Sequence, residues 1–199
     1  MKKERDRRLY TAIAGTNGAG KSDVLANFLK ENGFTIFSIS DQIDIYAQER
    51  GVKIRNRKDF QTFANSVRKE KGKGGNFFLK LSIEEAVRKK VGRACFESIR
   101  CLAEVSLLRM RRISLVAVDA DPRIRYDRCM KRKSKKDFVT FEEFVEQEKA
   151  EQSPDFHQLN IPAVIEKAGH VFLNNGTREE MERQIARHFR LDARQLLLF

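Results

Sequence analysis

No stretch of this chain stays apolar for the about 20 residues needed to cross a bilayer. The charged opening Met1–Arg8 leads into an apolar run too short for a signal-peptide core, so a cytoplasmic protein with no membrane partner is expected. Cysteine is scarce. Cys95, Cys101 and Cys129 are odd in number and lack metal-type spacing, which argues against a disulfide framework and against a zinc site. His157, His170 and His188 are far apart, and an ordinary surface or boundary place is expected for each. Internal repeats and low-complexity linkers are absent. So are helix-turn-helix, zinc-finger and RNA-recognition signatures, and the Asn-Lys-x-Asp motif of signalling GTPases.

What remains fits one globular unit. The chain has 199 residues, 41% of them hydrophobic, enough for a sizeable core in a single domain. Its net charge is +12, with Arg123, Arg125, Arg128, Lys131, Arg132, Lys133, Lys135 and Lys136 clustered. Such a balance suits nucleic acid, polyanionic small substrates or simply a soluble surface. Without a nucleic-acid module, specific nucleic-acid binding is disfavoured.

The most informative segment is Gly15-Thr16-Asn17-Gly18-Ala19-Gly20-Lys21-Ser22, a complete G-x-x-x-x-G-K-[ST] loop. A strand-like run precedes it, and a helical pattern with Val24, Leu25, Phe28 and Leu29 on one face follows, stopping at Asn32-Gly33. Glycines let a backbone wrap closely around phosphate oxygens, and loop N–H groups with a helix N-terminus present positive charge to them. Lys21 then reaches the β- and γ-phosphates and Ser22 ligates Mg²⁺. The bland reading, a Gly-rich turn before an ordinary helix, does not account for the full motif in that setting.

Five candidate strands alternate with helical stretches: Leu9–Gly15, Phe34–Ser38, Ala94–Glu97, Ile113–Asp119 and His170–Asn174. The third is the weakest by composition. This alternation predicts an α/β protein with a parallel sheet covered by helices. Ser82-x-x-Glu85, Thr140-x-x-Glu143 and Thr177-x-x-Glu180 each fit a capping box and predict helix starts. The plain alternation is interrupted by extra helices over 40–90 and by a basic then acidic helical pair over 120–162. In a kinase these are the places for an acceptor-binding insert and a lid. The corresponding division is a core of 9–39, 91–120 and 163–199, an insert of 40–90 and a lid of 121–162.

Several residues are candidates for chemistry. Glu97, at the tip of the third strand, can hold Mg²⁺ or its waters, and Arg100 can pair with an acceptor phosphate; a solvated strand-end pair is the alternative. Asp41 follows the second strand on the ligand-binding edge, where it can take a proton from an acceptor hydroxyl or fix a metal-bound water. It can equally cap the helix that starts after Ser40. Arg125, Arg128 and Arg132 recur at i, i+3 and i+7 on one helix face. Arg132 and Arg128 are the candidates for stabilising a transferring phosphoryl group, against a solvated face paired with the acidic helix Glu142–Glu151. Asn174-Asn175-Gly176-Thr177 is first a turn and a cap, and its place also suits contact with a purine base.

Taken together, these blocks resemble the P-loop nucleotide kinases around dephospho-CoA kinase and the deoxynucleoside monophosphate kinases, with their small kinase-like relatives. The resemblance rests on Gly15–Ser22, on Glu97-Ser98-Ile99-Arg100 with Glu104-Val105, and on Val118-Asp119-Ala120-Asp121-Pro122 with Arg125-Tyr126 and Arg128. Phe141-Glu142-Glu143-Phe144 and Asn174-Asn175-Gly176-Thr177 complete it. It implies a three-layer P-loop NTPase fold with five parallel strands, the loop strand in the middle, ATP–Mg²⁺ as donor and a nucleotide-type acceptor. It places Asn175 and Gly176 near adenine, Arg132 in the lid, and Arg57, Arg68 and Arg100 as acceptor-site cations. Three positions depart from it: Asp44 where relatives often carry arginine, Glu97 for a common Asp, and Asp23 for a frequent Thr. An acid at 44 would repel an acceptor phosphate. A nucleotide kinase is the leading expectation. A P-loop ATPase or regulatory protein associated with nucleic acid, and a kinase relative that binds nucleotide without turnover, are the alternatives.

Overall fold

The computed structural model describes residues 9–55, 57–70, 75–132, 140–150 and 152–191. Strand β1 (Leu9–Gly15) is buried from Thr11 onward, as expected of a strand covered on both faces. It pairs in parallel with β3 (Arg93–Ile99) on one side and with β4 (Ser114–Asp119) on the other. β2 (Thr35–Ser38) lies outside β3, and β5 (His170–Leu173) outside β4, giving the order β2-β3-β1-β4-β5 with every pairing parallel. The third strand, weakest by composition, is the long inner partner of β1. Its Ala94, Cys95 and Phe96 are all fully buried.

Strand periodicity divides the interior into two layers. Ala12 and Ala14 of β1, Ala94 and Phe96 of β3, and Leu115 and Ala117 of β4 face one side. There they meet α2 (Ile39–Glu49), α3 (Arg57–Glu70), α4 (Phe77–Arg88), α5 (Leu102–Met110) and α8 (Ile161–Glu166). Ile13, Cys95, Val116 and Val118 face the other side. They meet α9 (Arg178–Phe189) and the helix after the loop, which begins as a π-helical turn over Lys21–Ala26 and continues as α1 (Asn27–Glu31). The chain is thus a three-layer α/β P-loop fold. The connection from β4 to β5 carries α6 (Pro122–Lys131) and α7 (Phe141–Ala150) before α8. Among the described residues no helix is long and apolar enough to cross a membrane.

Two of the three expected capping boxes form. Thr140 and Glu143 exchange bonds at the start of α7, as do Thr177 and Glu180 at α9. Ser82 does not start a helix. It is fully buried within α4, and its hydroxyl donates to the Phe78 carbonyl 3.1 Å away. The apolar stripe that defines this helix begins upstream at Phe77-Phe78-Leu79, so the pattern at Ser82 is an interior coincidence. Asp41 is not the cap of α2 either. Ser38 is, accepting the Asp41 N–H at 3.2 Å, which leaves the Asp41 carboxylate in the first turn.

Candidate active site at the phosphate loop

The loop Gly15–Ser22 leaves β1 at the carboxyl edge of the sheet. Gly18 and Gly20 adopt φ of 78° and 93°, where a side chain is strained. Space is also lacking. A Cβ at Gly18 would lie 2.5 Å from the Arg125 carbonyl oxygen, and one at Gly20 would lie 2.5 Å from the Asn174 amide nitrogen. The loop is therefore pressed between α6 and the end of β5, and on the loop's side glycine backbone makes these contacts.

Side chains from distant segments fix that loop. Asn174, 4% exposed, donates to the Ala19 carbonyl at 2.8 Å, while its own carbonyl accepts from Arg128 at 2.9 Å. The Thr16 hydroxyl donates to Asp119 at the tip of β4, 2.6 Å away. Arg125, 5% exposed, donates to the Ala120 carbonyl at 2.9 Å and the Asn17 carbonyl at 3.4 Å, and pairs with Glu148 of α7.

Beside the helix start, the Ser22 hydroxyl donates to the Glu97 carboxylate. Burial pushes the Lys21 ammonium below its usual pKa, and the nearby charges of Arg100 and Arg132 add to that while Glu97 and Asp23 oppose it. Lys21, Ser22, Glu97, Arg100, Ser40 and Asp41 share the lining of one open cleft of about 800 Å³. A partly buried ammonium flanked by a second cation wants an anion, and a phosphate supplies one. The oxygen-only pair Ser22–Glu97 suits Mg²⁺, which takes one or two protein oxygens and completes its shell with phosphates and water. Among the described residues no cluster of three His, Cys, Asp or Glu forms a closed metal cage.

No family model matches the chain. It is 28% identical over 177 residues to a UPF0200 protein of Pyrococcus horikoshii, covering 87% of this chain and 91% of that one. A UPF0200 protein of Thermococcus kodakarensis is 29% identical over 183 residues, covering 89% and 94%. Among solved structures, shikimate kinase from Bacteroides thetaiotaomicron superposes with a TM-score of 0.58 at 11% identity, covering 92% of this chain and 99% of that one. The fold is that of the P-loop kinases. The likeness reaches the fold and stops short of a dephospho-CoA kinase subgroup.

Of the residues anticipated from sequence, Lys21, Ser22, Glu97, Arg100 and Asp41 come together in the cleft. Asp44, exposed on α2, is not part of that lining, and burial together with Asp41 raises its carboxyl pKa. Arg132 ends α6 and pairs with Asp23 at 2.7 Å, one residue past Ser22. Arg128 is turned onto the Asn174 carbonyl, so in this arrangement it braces the loop's support. Asn175 accepts the Asp121 N–H at 2.8 Å and ties two corners of the edge together, and Gly176 is exposed beside it. Arg57 and Arg68 ride on α3, but their side chains lie outside the described residues, as do Lys133, Lys135 and Lys136. Sequence reasoning did not single out the Thr16–Asp119 bond or the Asn174 clamp. The only signal for either was a polar residue at a strand tip on the ligand-binding edge.

Proposed function

We propose that this protein transfers the γ-phosphoryl group of ATP to a small acceptor. The observation that carries the reading is the Ser22–Glu97 contact beside Lys21, at the mouth of a cleft that also holds Asp41 and Arg100. Loop N–H groups and Lys21 cradle the β- and γ-phosphates. Ser22 and Glu97 would hold Mg²⁺ or its waters, and the ion would supply charge neutralisation on the phosphates. An acceptor oxygen, a hydroxyl in dephospho-CoA or a phosphate oxygen in a nucleoside monophosphate, bonds to the γ-phosphorus as the bond to the bridging oxygen breaks and ADP leaves. Where the acceptor is a hydroxyl, Asp41, which lines the cleft, takes its proton. Arg100 holds an anionic group of the acceptor in line, which favours a nucleoside monophosphate, a deoxynucleoside monophosphate or dephospho-CoA. Arg132 is the lid arginine, reaching the phosphates on leaving Asp23.

The nucleic-acid reading draws less support. The three arginines expected to form a basic face are engaged by Glu148, by the Asn174 carbonyl and by Asp23.

The test is ADP release from ATP–Mg²⁺ with a panel of nucleoside monophosphates, deoxynucleoside monophosphates and dephospho-CoA. One or more should stimulate turnover. Lys21→Ala should fold and lose about 10²–10³-fold in kcat, the scale of one preorganised charge on the transferring group. Full turnover by folded Lys21→Ala would overturn the reading.

A further inference from the structure

A second cavity lies on the other flank of the loop and shares only Thr16 and Asn17 with the groups used in that reading. It encloses about 350 Å³, within the size range of small-molecule sites. Thr16 and Asn17 of the loop form one wall. Phe144 of α7 with Ile161, Pro162 and Ile165 of α8 form an apolar wall opposite. The ends of β2 and β3, which carry the cleft with Glu97 and Arg100, contribute nothing to its lining.

Its charge is opposite to that of the chain. Three carboxylates line it, Asp119, Glu148 and Glu166, against one guanidinium, Arg125, in a protein of net charge +12. Arg125 is also committed to the protein: it binds the Ala120 and Asn17 carbonyls, pairs with Glu148, and lies 3.6 Å from Asp119. Its Nε and Nη1 hold the walls together, which leaves Nη2 to set against three carboxylates. The Thr16 hydroxyl is likewise spent on Asp119. Acceptor capacity, by contrast, is in surplus. One oxygen each of Asp119 and Glu148, and both of Glu166, accept nothing from the described residues, with Glu166 exposed at the rim. A phosphate entering here would meet like charge in a partly dry site, and a cation would meet unused acceptors.

We propose that this cavity binds a small non-phosphorylated molecule with an apolar body and a protonated amine. The body packs on Phe144, Ile161 and Ile165, and the amine meets the Asp119–Glu148–Glu166 side. The proposal stands apart from the kinase reading, because it concerns binding in the absence of nucleotide.

The test uses three probes that share a phenyl body: phenethylamine, 2-phenylethanol and phenylacetate. Each is added at low millimolar concentration to the full-length protein without ATP, and saturation-transfer NMR reads binding. Phenethylamine should bind, and phenylacetate should not. Glu166→Lys, at the exposed rim, should weaken phenethylamine by about fivefold, as expected of a charge reversal in a partly screened site. Ile165→Trp should fill the cavity and abolish binding; because it can also disturb folding, the rim variant decides if this one does not fold. Failure of phenethylamine to bind, equal or better binding of either of the other two probes, or amine binding unchanged in Glu166→Lys would overturn the proposal.

Discussion

Ser98 is a serine where the backbone favours glycine. Its φ is 78°, and it is skipped in the pairing of β1 with β3: Ile13 faces Glu97 and Ala14 faces Ile99. A bulge of this kind re-aims the neighbouring side chain, and here that neighbour is Glu97, which receives the Ser22 hydroxyl. A left-handed conformation costs an L-residue about 1–2 kcal/mol, offset in part by the larger chain entropy that glycine loses on folding. Ser98→Gly should therefore keep or raise stability, by up to about 1 kcal/mol, in urea unfolding, whereas Ser98→Val should lose about 1–3 kcal/mol. Equal midpoints for the two variants would refute the strain. At this scale the sequence was readable where chemistry is local. The residue types at Gly18, Gly20, Lys21 and Ser22 declare themselves within one loop, and the tips of β2 and β3 supplied Asp41, Glu97 and Arg100. It was silent where partners lie far apart. Nothing near Asn174 says that its amide will meet Ala19, 155 positions earlier.

Elements carry the loop between fixed supports, and the most informative joint is that from β5 to the loop. Asn174→Ala removes the donor to the buried Ala19 carbonyl, and leaving such a group unsatisfied costs about 1–3 kcal/mol. Calorimetry should show that loss, and hydrogen exchange should rise at Ala19 and Gly20 before it rises in β1; uniform exchange would mean the clamp is incidental. The contact of β5 with α9 should respond to pH. His170 of β5 and His188 of α9 stack at 4.5 Å, and burial, with the charge of His170 second, lowers the His188 pKa below 6.5. The unfolded chain thus binds the proton more readily. Stability from this group is present above about pH 6.5 and is lost as pH falls through the lower folded value. Melting temperature should drop between pH 7 and 5, and His188→Gln should drop less; an equal drop would clear the pair of the effect. Boundaries of four strands were legible to within a residue, because short apolar runs stop at polar or turn residues, while the third, expected over Ala94–Glu97, runs over Arg93–Ile99; a helix start was misplaced at Ser82, where a capping pattern fell inside a longer apolar stripe.

Over the whole molecule, charge and architecture pull in different directions. A net charge of +12 invites nucleic acid, yet Arg125 is buried in ion pairs and Arg128 and Arg132 are bound to groups around the loop. The sheet order places β1 at the centre, so the loop leaves from the middle of the carboxyl edge with a cleft on one flank and a cavity on the other. That order could be anticipated only by resemblance, because strand alternation states that the sheet is parallel and not which strand lies beside which. A basic chain without a nucleic-acid module in its sequence should hold duplex DNA only non-specifically, at roughly 10⁻⁴–10⁻⁶ M near physiological salt, and lose it steeply as salt rises. On the proposed reading ATP meets a small number of charges at one loop and should lose far less affinity over the same range. Fluorescence anisotropy with a labelled duplex, run beside an ATP-analogue titration at low and high salt, separates the two. Tight or sequence-selective DNA binding that survives high salt would move the working surface away from the phosphate loop and onto the basic face.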